Sequence, residues 1–210
     1  MSDITDGIGR RAVLQTLMGG AAGALALPAV ATAHPMTEHL HDQKKVTTAD
    51  QKAHATSWKP EFLDQHQVDT VRVLAEKIVP GSTPVKSAEF IDSLLAVDTQ
   101  ANQEKFLQAL GAFEALAIGQ AKVAWRSLSD ADQIALLTKA STATAAPPRR
   151  SADPVAPSSA EGPLTIRDHF ELLKGWISGA YYSSEPGMRE LGWTGNVFHD
   201  KFVGCEHGTH

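Results

Sequence analysis

The sequence predicts an all-α protein: about five helices in a single bundle-like domain, with a Gly- and aromatic-rich irregular C-terminal tail. Three observations predict it. Apolar residues recur at three- and four-residue steps through the middle of the chain, which stacks them on helix faces. Capping residues stand near the start of those stripes, and Gly or Pro near their ends. No stretch alternates as a strand would, and no Asn-Gly hairpin signal occurs. With 210 residues, 42% of them hydrophobic and 20% charged, the chain is long enough for one domain with a real core plus tails. The net charge is −5, and Lys and Arg form no stripe interleaved with aromatic residues, so nothing points to a nucleic-acid partner.

Residues 1–33 read as a targeting segment rather than as fold. Arg10 and Arg11 precede Ala12-Val13-Leu14-Gln15, and no charged residue follows until after Ala33. Ala31-Thr32-Ala33 has the small-x-small form of a cleavage site, with Pro28 shortly before it. Paired arginines ahead of a Gly- and Ala-rich, modestly hydrophobic core look like a twin-arginine export signal. Gly9, Val13 and Gln15 depart from the commonest residues of such signals, and a general secretory signal is the alternative. Gly19, Gly20, Gly23 and Pro28 weaken the segment as a membrane anchor. With no cysteine near the cleavage site, a lipoprotein is excluded. The twin-arginine route carries folded proteins, so a small chain without a cofactor site that uses it suggests export of a folded complex.

Residues 34–57 are polar and weakly patterned and read as a flexible arm. They hold His34, His39, His41 and His54, so a metal-binding arm is the sharper alternative. No Cys or paired carboxylates complete a ligand set there. The helical domain is expected over 58–210. Pro60 stands near the first helix start, and Val68, Val71, Leu74, Ala75 and Ile78 form its stripe up to Pro80-Gly81. Ser87 is placed to cap a second helix with Phe90, Ile91, Leu94 and Leu95 inside. A third, longer helix begins at Asp98 or Thr99 and carries Phe106, Leu110, Phe113, Ala117, Ala121, Ala124 and Leu128, with Trp125 beside them. Ser129 and Asp132 make a capping box for a fourth, with Ile134 and Leu137.

Residues 142–163 break the pattern with Pro147, Pro148, Pro154, Pro157 and Pro163, and read as an extended surface insert within one domain. Thr165 and Asp168 then form a capping box for a last helix. Ile166, Phe170, Leu173, Ile177 and Tyr181 lie on one of its faces, and Leu172, Trp176 and Ala180 on a second. A helix apolar on two sides needs neighbours on two sides and should fold back on the first four. Gly175 and Gly179 stand four apart and leave a smooth strip where another backbone can come close. After Ser184 a turn at Pro186-Gly187 is expected, leading into the tail.

The motifs of chemistry are missing from the sequence. It carries no G-x-G-x-x-G after a strand, no Walker loop, no C-x-x-C-H haem site and no G-x-S-x-G elbow. Asp168, His169 and Glu171 are close on one helix, but cap logic makes Asp168 a cap, Glu171 and Lys174 solvated, and His169 a rim residue. His199, Cys205, His207 and His210 are weak candidates for a metal site, because their spacing matches no structural-zinc pattern. Cys205 is the only cysteine. In an oxidising compartment such a residue reads first as an intersubunit disulfide, then as an inert thiol, then as a metal ligand. Trp176, Tyr181, Tyr182, Trp193 and Phe198, clustered near the end with Cys205, are candidate partner-interface residues, since aromatics anchor interfaces; closing the intramolecular core is their alternative use.

Several stretches carry a family resemblance. They are Leu74-Ala75-Glu76-Lys77-Ile78-Val79-Pro80, Phe90-Ile91-Asp92-Ser93-Leu94-Leu95 and Leu128-Ser129-Asp130-Ala131-Asp132-Gln133. The most specific lie C-terminally: Gly175-Trp176-Ile177-Ser178-Gly179-Ala180-Tyr181-Tyr182, Ser184-Glu185-Pro186-Gly187, Glu190-Leu191-Gly192-Trp193-Thr194-Gly195 and Gly204-Cys205. Over roughly Phe62 to Cys205 the chain resembles the gluconate 2-dehydrogenase subunit 3 family, small subunits of periplasmic flavin-dependent sugar and polyol dehydrogenases. The resemblance implies a non-catalytic subunit without a cofactor of its own. Its partner would be a GMC-type large subunit that carries FAD and uses the small subunit's signal at the twin-arginine translocon. A c-type cytochrome subunit with haem c would receive the electrons. The complex would sit in the periplasm, at the outer face of the inner membrane. The Pro/Ala insert at 142–163 and the His-containing arm depart from the pattern. A periplasmic His-rich metal-binding protein is the alternative reading, resting on the nine histidines.

Overall fold

The computed structural model describes Met36, His39 and residues 42–147 and 163–192. Its described residues are all-α: seven helices, one 3-10 turn and no strand. The helices are α1 (Gln43–Ala53), α2 (Gln65–Ile78), α3 (Ser87–Leu95), α4 (Gln100–Ala121), α5 (Asp130–Thr142), α6 (Ile166–Tyr182) and α7 (Glu185–Glu190), with the 3-10 turn at Trp125–Ser127.

Helix α6 is the centre of the bundle and packs against α2, α3, α4, α5 and α7. Phe170, Leu173, Trp176, Ile177, Ala180 and Tyr181 are all buried, so both predicted faces are used. Its capping box forms: the Thr165 hydroxyl accepts from Asp168 N–H, and the Asp168 carboxylate accepts from Thr165 N–H at 2.7 Å. Helix α3 lies between α1, α2 and α6, and every one of its nine residues is buried. Burial on all sides explains its polar anchors. Asp92 is fully buried and its carboxylate accepts three backbone N–H groups, from Glu61 at 2.7 Å, Phe62 at 3.1 Å and Leu63 at 2.7 Å. Those bonds hold the chain entering α2. Glu89, on the same helix, accepts a forked pair from Arg72 on α2.

Several local expectations are corrected. The polar stretch assigned to a flexible arm contains α1, whose Ala49 and Ala53 are buried against α3. Small residues at a four-residue step suffice for close packing but give a weak hydrophobic signal. Asp64, not Pro60, starts α2, with a full capping box to Gln67. Ser87 is the first residue of α3 rather than its cap; Lys86 precedes it in the left-handed region at φ 57°. The long third helix stops at Ala121, because Lys122 adopts φ 61° and breaks the ladder. Trp125 and Leu128 reach the core from the 3-10 turn and its end instead. Ser129 caps α5 from its hydroxyl, without the reciprocal backbone bond of a full box. Pro186 occupies the first turn of α7 rather than a bend, with the Ser184 hydroxyl as cap. The tail from Trp193 onward, the leader and the body of the insert lie outside the described residues.

Candidate partner-binding surface

The C-terminal end of α6 and helix α7 are where the sequence put its interface aromatics. Trp176 is fully buried, edge-on to Phe106 of α4 with ring centroids 5.8 Å apart. On another side its ring lies 6.0 Å from that of His39. Tyr181 is also buried, and its hydroxyl donates to Glu190 Oε1 on α7 at 2.9 Å. Its ring packs on Gly81, which has φ +96° and where an added Cβ would stand 3.3 Å from the hydroxyl oxygen. The interface expectation for Trp176 and Tyr181 is therefore corrected. A helix surrounded on both faces spends its aromatics on the core. Trp193, Phe198 and Cys205 lie outside the described residues.

Tyr182 is half-buried and meets Tyr181 edge-on at 5.1 Å. Partial burial, reinforced by the Glu190 carboxylate, pushes its phenol above the ordinary tyrosine range. At the end of α7, Leu191 is 70% exposed. Half-buried Tyr182 and exposed Leu191 are thus the apolar residues at the ends of α6 and α7, the corner after which the sequence continues with Trp193. Helix α7 holds this corner by close approach, because a Cβ at Gly187 would overlap the backbone of Tyr181 and Tyr182. Elsewhere Val97, Ile118, Val123, Ile134 and Leu164 are exposed apolar residues.

The acidic residues of α6 serve structure. Asp168 accepts from Thr165 N–H, from the Thr165 hydroxyl at 2.8 Å and from Ala146 N–H at 3.1 Å. Partial burial raises its pKa, but those hydrogen bonds and neighbouring His169 outweigh burial and hold the carboxyl below its usual range. Burial lowers the His169 pKa, with Asp168 opposing. Glu171 sits between Arg167, at 2.7 Å, and Lys174.

Of the arm histidines, His39 is buried, with Nε2 3.0 Å from Asp98 Oδ2, and His54 turns its Nδ1 to the Asp50 carbonyl at 3.0 Å. His34 and His41 lie outside the described residues, as do His199, Cys205, His207, His210, Arg10, Arg11, Ala31 and Ala33. Among the described residues, no group of three or more His, Cys, Asp or Glu side chains is placed to hold a metal ion. No described helix is long and apolar enough to cross a membrane. The sequence reading missed Met36 and the His39–Asp98 contact. Met36 is buried against Gly179, where an added Cβ would stand 2.5 Å from its Cγ. The smooth strip around Gly179 was the available signal, but not what would fill it.

A family model, gluconate 2-dehydrogenase subunit 3, matches residues 65–198. No curated protein and no solved structure matches the chain.

Proposed function

The chain belongs to the gluconate 2-dehydrogenase subunit 3 family, and on that premise we propose that it is the non-catalytic small subunit of a flavin-dependent sugar or polyol dehydrogenase complex. The large partner carries FAD and the active site; a c-type cytochrome with haem c takes the electrons. The leader with Arg10 and Arg11 serves both chains at the twin-arginine translocon, and the complex stands at the periplasmic face of the inner membrane. The family match carries this reading. The apolar corner of Tyr182 and Leu191 supports it, because it leads directly into a segment with Trp193, Phe198 and Cys205 and offers a flavoprotein an aromatic-rich seat. Cys205 is the residue proposed for an intersubunit disulfide.

The test is co-expression with a candidate large subunit, followed by periplasmic fractionation and affinity capture through this chain. A flavoprotein should co-purify from the periplasm, and Arg10→Lys with Arg11→Lys should hold both chains in the cytoplasm. Cys205→Ser should abolish a cross-linked band on a non-reducing gel. A periplasmic flavoprotein that never co-purifies, or export unaffected by the arginine changes, overturns the corresponding part.

A further inference from the structure

Helix α4 gives one face to the core. Phe106, Ala109, Leu110, Phe113 and Ala117 are buried there, against α6 and the 3-10 turn. The helical period sets Glu104, Gly111, Ala115 and Lys122 in one line on the opposite face, with Ile118 and Gly119 to either side, and all of them are exposed. Between Glu104 and Lys122 this face carries no charge. Glu114, on the flank, is engaged inside the chain, accepting from the Thr70 hydroxyl at 3.0 Å and from Trp125 N–H at 2.9 Å. Ile118 is 51% exposed.

Two glycines on this face have no use inside the chain. A Cβ at Gly111 or Gly119 would meet nothing within 4 Å. Glycine in a helix interior is less favourable than alanine, because its backbone loses more freedom on folding. Alanine would fit at both positions, so the chain's own packing explains neither glycine. Gly111, Ala115 and Gly119 stand at four-residue steps, a spacing that lets a second helix lie close. Beside Gly111 a hollow of about 170 Å³ opens between α4 and α2, lined by Leu107, Leu110 and Gly111 and by His66 and Thr70 across from them. The helical period puts exposed Ile118 on the same side of the line as Leu107.

We propose that this face binds a second copy of the chain, the two α4 helices lying antiparallel about a two-fold axis near Phe113. The charges select that occupant. Glu104 accepts from Gln100 Nε2 at 2.8 Å and Lys122 donates to Gly119 O at 3.4 Å, and neither has an ion-pair partner among the described residues. An antiparallel copy brings each Glu104 to the other copy's Lys122, whereas a parallel one would set like charges together. The same rotation lays Gly111 against the second copy's Ala115, the point of closest approach. It also carries each Ile118 toward the hollow beside the other copy's Leu107 and Gly111. Knob, hollow and both charges are self-complementary, as a two-fold contact requires. A single helix pair is a small interface, so the dimer is weak and reversible. It uses neither Tyr182 nor Leu191 and does not depend on the assembly proposed above.

The experiment is sedimentation equilibrium of the full chain under reducing conditions, with no flavoprotein present. A reversible monomer–dimer equilibrium is expected. Ile118→Lys should weaken the dimer about tenfold or more by setting a charge at the apolar hollow. Glu104→Lys should weaken it too, and Glu104→Lys with Lys122→Glu should recover most of that loss. Gly111→Ala should act with opposite signs on two readouts. The thermal midpoint of the dilute monomer should rise by about 2–4 °C, while the dimer weakens about tenfold. A helix face turned only to solvent would show the first effect without the second. A chain monomeric at every concentration, a dimer indifferent to Ile118→Lys or Gly111→Ala, or a charge exchange that restores nothing overturns the proposal. A monomer that captures a flavoprotein and loses it on Ile118→Lys also overturns it, since the face would then belong to that partner.

Discussion

Asp92 shows how one side chain fixes a loop that the hydrophobic pattern leaves undefined. Three N–H groups converge on its buried carboxylate, so Asp92→Ala should cost about 3 kcal/mol or more, read from urea denaturation, by stranding those donors. Gly179 makes a second case. Filling its notch displaces Met36, so Gly179→Ala should cost about 1–3 kcal/mol in the parent and much less beside Met36→Ala, a coupling that a double-mutant cycle measures. Asp168 and His169 set two acid windows. The His169 pKa is lowered in the fold, so the unfolded chain takes up its proton first, and stability should begin to fall as pH drops through about 6.5. The Asp168 pKa is lowered too. Its contribution is complete above the ordinary carboxylate value near 3.8 and is lost as pH falls through the lower folded value. His169→Gln should remove the upper limb and leave the lower one, as pH-dependent urea midpoints will show. The Thr165–Asp168 box was legible from residue spacing alone. Asp92 was not, because its partners lie about thirty residues away and backbone donors leave no trace in a sequence.

Among the elements, legibility followed the size of the buried side chains. Helices α2, α3 and α6 bury Leu, Ile, Phe and Trp at regular steps, so their periodicity announced them. Helix α1 buries only Ala49 and Ala53 inside itself, and its Lys and Thr residues masked the pattern. The end of α4 was overrun for the opposite reason. Ala124, Trp125 and Leu128 continue the helical period, but the left-handed Lys122 turns the chain before them. A non-Gly residue at φ 61° carries a backbone cost. Lys122→Gly should therefore raise the thermal midpoint, with a gain of up to about 1 kcal/mol, since glycine takes that conformation without steric penalty. The interface residues divided on similar grounds. Periodicity placed Trp176 and Tyr181 correctly on α6, but not whether the neighbour was another helix of this chain or a second protein. Only the packed bundle distinguishes the two.

At the scale of the whole molecule, the N-terminal region is part of the architecture. Met36, His39 and α1 cover α3 and the Trp176 face of α6. Removing residues 34–54 while keeping residues 1–33 should uncover apolar surface, lower the urea midpoint and increase binding of a hydrophobic dye. Removal of a solvated tail would change neither. The family match begins at residue 65 and so leaves out this covering, which the chain supplies from its own N-terminal sequence. The Asp168 carboxylate holds Ala146 N–H and Thr165 N–H together, so the polypeptide departs from the helices and rejoins them at one spot. The positions between are thus a natural splice point: a reporter domain with adjacent termini could be grafted there, giving a fluorescent handle on the folded chain at a distance in sequence from Tyr182 and Leu191.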